Sequence, residues 1–195
     1  KIVAGWDLVL RGNHVHGNSG RGLWLDTDIF DALVEDNLVV GNEFEGIWLE
    51  VVCGAVVRAN HSEGNGFGQA AQSHWPSPAG IQVVNGTNVE VAENVVRDNR
   101  NGIAVLGAVG YPTHDCVPDL RNVWVHDNEV RMTEGLTGIA ENFGDPAIFT
   151  SRGNRFENNR YELGTGADYF IWDGRRMNED EWRSAGQDVT GTFQR

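Results

Sequence analysis

The sequence predicts an all-β solenoid, a right-handed parallel β-helix of about six coils closed by a short C-terminal helix-plus-strand cap. Three observations predict it. Asparagine recurs at Asn13, Asn37, Asn60, Asn94, Asn128 and Asn154, and five residues after most of these stands a second one, at Asn18, Asn42, Asn65, Asn99 and Asn159, with Thr133 the single break. A glycine and an apolar run follow: GLWLDTD from Gly22, GIWLEVV from Gly46, GIQVV from Gly80, GIAVL from Gly102 and GIAEN from Gly138. Before each first-column Asn, apolar residues alternate with period two, as in Leu8 and Leu10, Ala32 and Val34, Ala55 and Val57, Val89 and Val91, and Val123 and Val125. That is the period of a strand, not of a helix.

The unit is strand, Asn, short strand, Asn, turn, Gly, strand. First-column spacings are 24, 23, 34, 34 and 26, so the bare unit is short and the two longest spacings mark insertions, placed at 66–79 and 107–120. Such units cannot bury a face alone, but stacking them coil on coil produces one continuous core. In register, the Asn side chains would form ladders that satisfy turn backbone groups, each worth about 1–3 kcal/mol if left buried and unpaired. The Asn columns therefore read as architecture. A leucine-rich horseshoe would need regular Leu positions and helical backs, and the sequence has neither.

Residues 1–173 are assigned to the solenoid and 174–195 to the cap. In RRMNEDEWRSAGQD, Asn178 can cap a short helix with acids in its first turn and Trp182 on its inner face, before the strand VTGTF. At the other end Lys1 leads almost directly into WDLVL without a charged and apolar leader. The expectation is the C-terminal part of a longer solenoid, its first coil an exposed edge open to self-association or to the rest of a parent chain.

Composition sets exclusions. The 195 residues carry 28 Asp plus Glu against 15 Lys plus Arg, a net charge of -13. Nucleic-acid binding depends on clustered cations and is not expected; no apolar run approaches the roughly 20 residues of a membrane span. Lys1 is the one lysine, so no lysine in the body of the fold can be catalytic. Cys53 and Cys116 cannot form a disulfide framework or a four-cysteine zinc site; one bridge and two buried thiols both stay open.

The repeated N-x-V-x-x-N turns, as in NHVHGN from Asn13, NLVVGN from Asn37 and NVVRDN from Asn94, with their Gly-apolar strands, resemble the right-handed parallel β-helix repeat proteins, to which pectate lyases, other polysaccharide lyases, pectinases and phage tailspikes belong. The resemblance covers about residues 5–160 and implies fold more firmly than activity, because one solenoid serves many functions.

Aligning strands on their glycines stacks Trp24 over Trp48 and Asp26 over Glu50, with Leu23, Leu25, Ile47 and Leu49 inward and the tryptophans and acids outward. Gln82 follows in the Trp column and Val84 in the acid column. An exposed Trp pair beside a carboxylate pair suits a polysaccharide, with aromatic faces for sugar rings and Trp24, Trp48, Trp75 and Gln82 as substrate contacts. Like charges at strand spacing push one pKa up, which suits acid–base work by Asp26 and Glu50. Alternatively Asp26, Asp28 and Glu50 could hold Ca²⁺, as the resemblance implies for calcium-dependent lyases; no cofactor is otherwise required. A solvated acidic face with the tryptophans under the first insertion is the bland alternative. That insertion carries His74, a candidate base or ligand, and the second carries Tyr111, His114 and Asp115 as a further wall.

Arg11, Glu35 and Arg58 read as a cross-strand charge ladder, and His14 and His16 as an outer turn surface. G-x-S-x-G, P-loop and H-E-x-x-H motifs are absent. The acceptor sequences at Asn85 and Asn60 do not alter the reading, since Asn60 is a ladder position. The functional expectation is an extracellular carbohydrate-active domain of polysaccharide lyase or glycoside hydrolase type; the alternative is a non-catalytic structural or carbohydrate-binding surface module that self-associates. The negative charge disfavours highly acidic glycans unless Ca²⁺ bridges.

Overall fold

The computed structural model describes residues 1–68, 75–112 and 114–195. Its strands form one sheet of 12 and one of 7 strands among the described residues. The chain winds as a right-handed parallel β-helix: Leu23–Glu35 pairs in parallel with Ile47–Arg58, whose first half pairs with Ile81–Val84 and whose second half pairs with Thr87–Ala92. The larger sheet thus supplies two sides of each coil. The third side is the smaller sheet, running from His14–His16 through Leu38–Val40, His61–Glu63, Val95–Arg97, Glu129–Met132 and Arg160–Leu163 to Thr192–Gln194.

Alternation dictates the core. Leu25, Ile29, Ala32 and Val34 in one coil and Ile47, Leu49, Val52, Ala55 and Val57 in the next point inward and are buried, as do Val89, Val91, Val123 and Val125 further on. The last coil turns aromatic, with Tyr161, Phe170 and Trp182 packed ring against ring under the end of the solenoid.

Two asparagine ladders run along the turns. Each acceptor Oδ1 takes the backbone N–H and the side-chain amide of the Asn one coil earlier, at 2.7–3.1 Å. The residue before each ladder Asn is left-handed, as at Gly12, Asp36, Ala59, Glu93 and Asp127 in the first ladder. This tight turn aims the amide along the axis. One expectation is corrected here: Asn128 bonds to Asn159, not to Asn154. Asn154 instead accepts from Val123 N–H at the start of a different side. The second ladder therefore comprises Asn18, Asn42, Asn65 and Asn99.

The column glycines follow from the same stacking. A Cβ at Gly46 would lie 2.5 Å from Ser62 Oγ, 2.6 Å from the Gly80 carbonyl and 2.8 Å from the Asn65 amide. At the C-terminal end, Glu179–Ser184 is a short helix with a capping box between Asn178 and Glu181, and Trp182 is fully buried. Asp188, also fully buried, closes the first ladder: one oxygen accepts from Asn159, the other from Tyr161 (2.7 Å) and Trp182 (3.0 Å). In the first coil Val3, Trp6 and Val9 are exposed.

The second insertion folds back against earlier coils and is tied there by a Cys53–Cys116 disulfide. Closing a loop with that sequence separation of 63 contributes about 4 kcal/mol in the chain-entropy account.

Candidate functional site

The site is built where Leu23–Glu35 and Ile47–Arg58 run side by side in register. Trp24 lies opposite Trp48 and Asp26 opposite Glu50, and the two indoles stack with centroids 4.9 Å apart and planes 10° apart. The residues leave the core in pairs because period-two alternation buries Leu25, Ile47 and Leu49 between them. The expected pairing is therefore present.

The expected exposure is not. Trp48 is 8% exposed and joins a second apolar cluster on the outside of the sheet, with Ala79, Val84, Ala104 and Leu106 and with Trp24, Trp75 and Tyr111 packed against it. The guanidinium of Arg21 sits 3.7 Å from the Trp48 ring centre and 4.4 Å from that of Trp24, and the Lys1 ammonium 3.9 Å from Trp24. Cations over aromatic faces are attracted by the ring quadrupole. The tryptophans form a roofed cluster instead of an open aromatic platform, with Trp24 its more accessible member.

Glu50 is the centre of the polar contacts. Its Oε1 accepts from the Tyr111 hydroxyl at 2.6 Å and its Oε2 from the Trp24 indole N–H at 3.0 Å. Burial, then the charge of Asp26 and a hydrogen bond with that carboxyl, raises the Glu50 pKa above its ordinary 4.5, against the opposing bonds from Tyr111 and Trp24. Two like charges this close oppose simultaneous ionisation, which is the sense of the rise at Glu50. Burial and the neighbouring Glu50 push the Tyr111 phenol well above its usual range, keeping it a donor. Asp26 is ion-paired with Lys1.

A second polar group lies alongside. Arg21 Nε is 2.8 Å from Glu45 Oε2, and Glu45 Oε1 is 3.4 Å from both Ser77 Oγ and Gln82 Nε2. Gln82 is in register with Trp48. The buried Trp48 Nε1 and Gln82 Oε1 have no hydrogen-bond partner among the described residues.

The remaining predicted residues separate. Asp28 lies in an irregularity of strand register with positive φ; its Oδ1 accepts from Cys116 N–H at 3.0 Å and its Oδ2 lies 3.3 Å from His114 Nδ1. It anchors the second insertion and is not brought together with Asp26 and Glu50. Among the described residues no three His, Cys, Asp or Glu side chains group as a metal site. Trp75 packs on the apolar cluster, while His74 lies outside the described residues. Arg21, Glu45 and Lys1 were missed; the first two immediately precede the column glycines Gly22 and Gly46, and that register was the available signal.

Glu35 lies between Arg11 and Arg58 as the ladder pattern required, and these arginines hold its carboxyl low. Asn60 is a buried ladder residue, and Asn85 is fully buried with its amide bonded to Ala108. A cavity of about 680 Å³ lies away from Glu50, on the side of Asp31, Val56, Arg58, Glu90 and Trp124.

The parallel coils, the two ladders and the coil-spacing glycines are matched by the comparison with known families: the pattern described as right handed beta helix region fits residues 2–117, more than half of the chain. The chain belongs to the right-handed β-helix family. No curated protein and no solved structure matches it. In this β-helix the disulfide is of the kind that persists in oxidising compartments, and no described helix is long and apolar enough to cross a membrane.

Proposed function

We propose that this β-helix is an extracellular, carbohydrate-active domain that hydrolyses a glycosidic bond at the Asp26–Glu50 pair. The observation that carries the reading is a pair of carboxyls in register on adjacent strands, Glu50 partly desolvated with its pKa raised, set against stacked indoles. Two neighbouring carboxyls, one serving as acid and the other as base, are what acid–base glycoside chemistry uses. Glu50 donates its proton to the glycosidic oxygen as the bond to the sugar carbon breaks with its electron pair onto that oxygen. Water adds to the carbon and yields a proton to Asp26, and proton return from Asp26 to Glu50 resets the pair. Tyr111 and Trp24 position Glu50 through their hydrogen bonds. The test is release of reducing ends from a panel of neutral and acidic polysaccharides by wild type, Glu50→Gln and Asp26→Asn; full activity in both variants overturns the assignment.

A second reading, a binding module without turnover, is favoured by the cavity of about 680 Å³ on the other side. It crosses neighbouring coils over Leu33 and Val56, with Glu90, Arg58 and Asn88 at its edges. A glycan bound there by a protein that releases no reducing ends would support that reading.

A further inference from the structure

Arginine in this chain is nearly always answered by acid. Among the described residues, 11 of the 14 arginines lie within ion-pair distance of a carboxylate, and Arg195 donates to the Gly166 carbonyl. Arg100 and Arg176 are the two whose side chains have neither an ion pair nor a hydrogen bond among the described residues. Both line one cavity of about 230 Å³, together with Trp75, Ser77, Asn101 and Glu134. In a molecule of net charge -13, two unanswered guanidinium groups converging on one cavity are not accounted for by surface pairing.

Three separate elements build the cavity. Arg100 and Asn101 precede the strand Ile103–Gly107, and Glu134 and Leu136 precede Thr137–Glu141. The Asn101 amide is fixed on the Pro78 carbonyl and the Leu136 N–H, which locks these turns together. Arg176 comes from Arg175–Met177, the antiparallel edge strand opposite Ile171. At Gly135 the backbone packs so closely on Arg100 that a Cβ would collide with the Arg100 carbonyl oxygen. The position of the first arginine is therefore set by backbone packing.

Two residues connect this cavity to the Glu50 site. Trp75 packs on the cluster that contains Trp48, and Ser77 reaches Glu45. Strands of the intervening sheet follow one another at about 4.8 Å, so a short oligosaccharide lying across them spans the distance from Trp48 past Gln82 to Arg100. Guanidinium groups bind oxyanions by charge-assisted hydrogen bonds, and Trp75 offers a ring for the sugar body while Glu134 and Ser77 can meet hydroxyls.

We infer that the Arg100–Arg176 cavity is a subsite for the oxyanion of an acidic sugar, a uronate carboxylate or a sulfate ester, in the glycan that the Glu50 site acts on. The inference rests on the proposed function and adds the substrate class to it. The local pair of cations overrides the repulsion that the net charge imposes on acidic glycans in general.

The test is calorimetric titration with trigalacturonate, its fully methyl-esterified form and a 6-sulfated galactose trisaccharide, on wild type, Arg100→Gln, Arg176→Gln and Arg176→Lys, with melting temperatures confirming the fold. The expected result is binding of at least one acidic probe, at least about tenfold weaker binding of the ester, a loss of about tenfold or more in each Gln variant and partial retention in Arg176→Lys. Whichever acidic probe binds more tightly names the oxyanion. Equal affinity for acid and ester, no binding of either acidic probe, or indifference to both Gln variants overturns the inference. If a neutral glycan is still cleaved and Glu50→Gln abolishes that cleavage, the proposed function survives such a failure. Conversely, acid binding lost in the Gln variants, from a protein that cleaves no glycan, leaves the subsite standing and overturns the hydrolytic reading.

Discussion

Along the turn that carries Asn37, Asn60, Asn94 and Asn128, every coil uses the repeat in the same way: a left-handed residue, then an amide bonded to the next coil. Along the outer column that holds Asp26 and Glu50 the residue type changes from coil to coil, with Val3 before the two acids and Val84, Leu106 and Ala140 after them. The ladder answers backbone groups that every coil presents in the same geometry. The outward column answers nothing in the backbone, so it can hold acids in two coils and aliphatic residues in four. Regularity marks what carries the fold, and departure from regularity marks where chemistry can be placed.

The comparison breaks most visibly at Glu50. Glu50→Gln is expected to lower turnover by about 10²–10⁴-fold without lowering the unfolding midpoint, since the amide resembles the protonated acid. A loss of stability in parallel with activity would make Glu50 another structural residue. On the ladder the outcome reverses. Asn60→Ala removes the acceptor of two donors from Asn37 and the donor to Val34, Arg58 and Asn94, and should cost about 3 kcal/mol, read as a shift in urea midpoint. Turnover per folded molecule should stay unchanged.

Titration sharpens the contrast. Glu50 binds its proton more tightly in the folded chain, so its contribution is complete below the ordinary value of 4.5 and is lost as pH rises through its raised folded value. Glu35 and Glu129, held low by arginines, contribute in the opposite sense: stability present above 4.5 and lost as pH falls through their lowered values. Urea midpoints measured across this range for wild type and Glu50→Gln should show the variant losing the fall at rising pH while keeping the fall at low pH. The smallest effect is expected at Ala59, whose φ of 52° is costly for a residue with a Cβ. Ala59→Gly should raise stability by about 0.5 kcal/mol after the greater freedom of unfolded glycine is counted, seen as a small rise in melting temperature.

Much of the fold was legible because stacking in register turns spatial neighbours into residues at equal offsets. The same offsets placed Trp24 on Trp48, Asp26 on Glu50 and Glu35 between two arginines. The reading failed where an offset was changed. Around the short helix Ala147–Thr150 the last coil departs from the earlier spacing, so counting five residues from Asn154 put Asn159 in the wrong ladder. At Asp28 a strand irregularity turns the carboxylate toward Cys116 and His114, and at the tryptophans the alternative of cover by the first insertion is the one that Trp75 and Ala79 fit. Tyr111 reaches Glu50 across 61 positions, a distance that no local pattern encodes.

The sequence by itself therefore determined the coil, its core and its ladders, because period-two burial and left-handed turns act over a few residues and repeat. Only the tertiary structure decided which outward groups meet: that Arg21 and Tyr111 close over the indoles, that Glu50 is partly desolvated, and that Arg100 and Arg176 share a cavity. Those meetings depend on how insertions and the terminal hairpin pack across coils, and that packing is a property of the assembled surface.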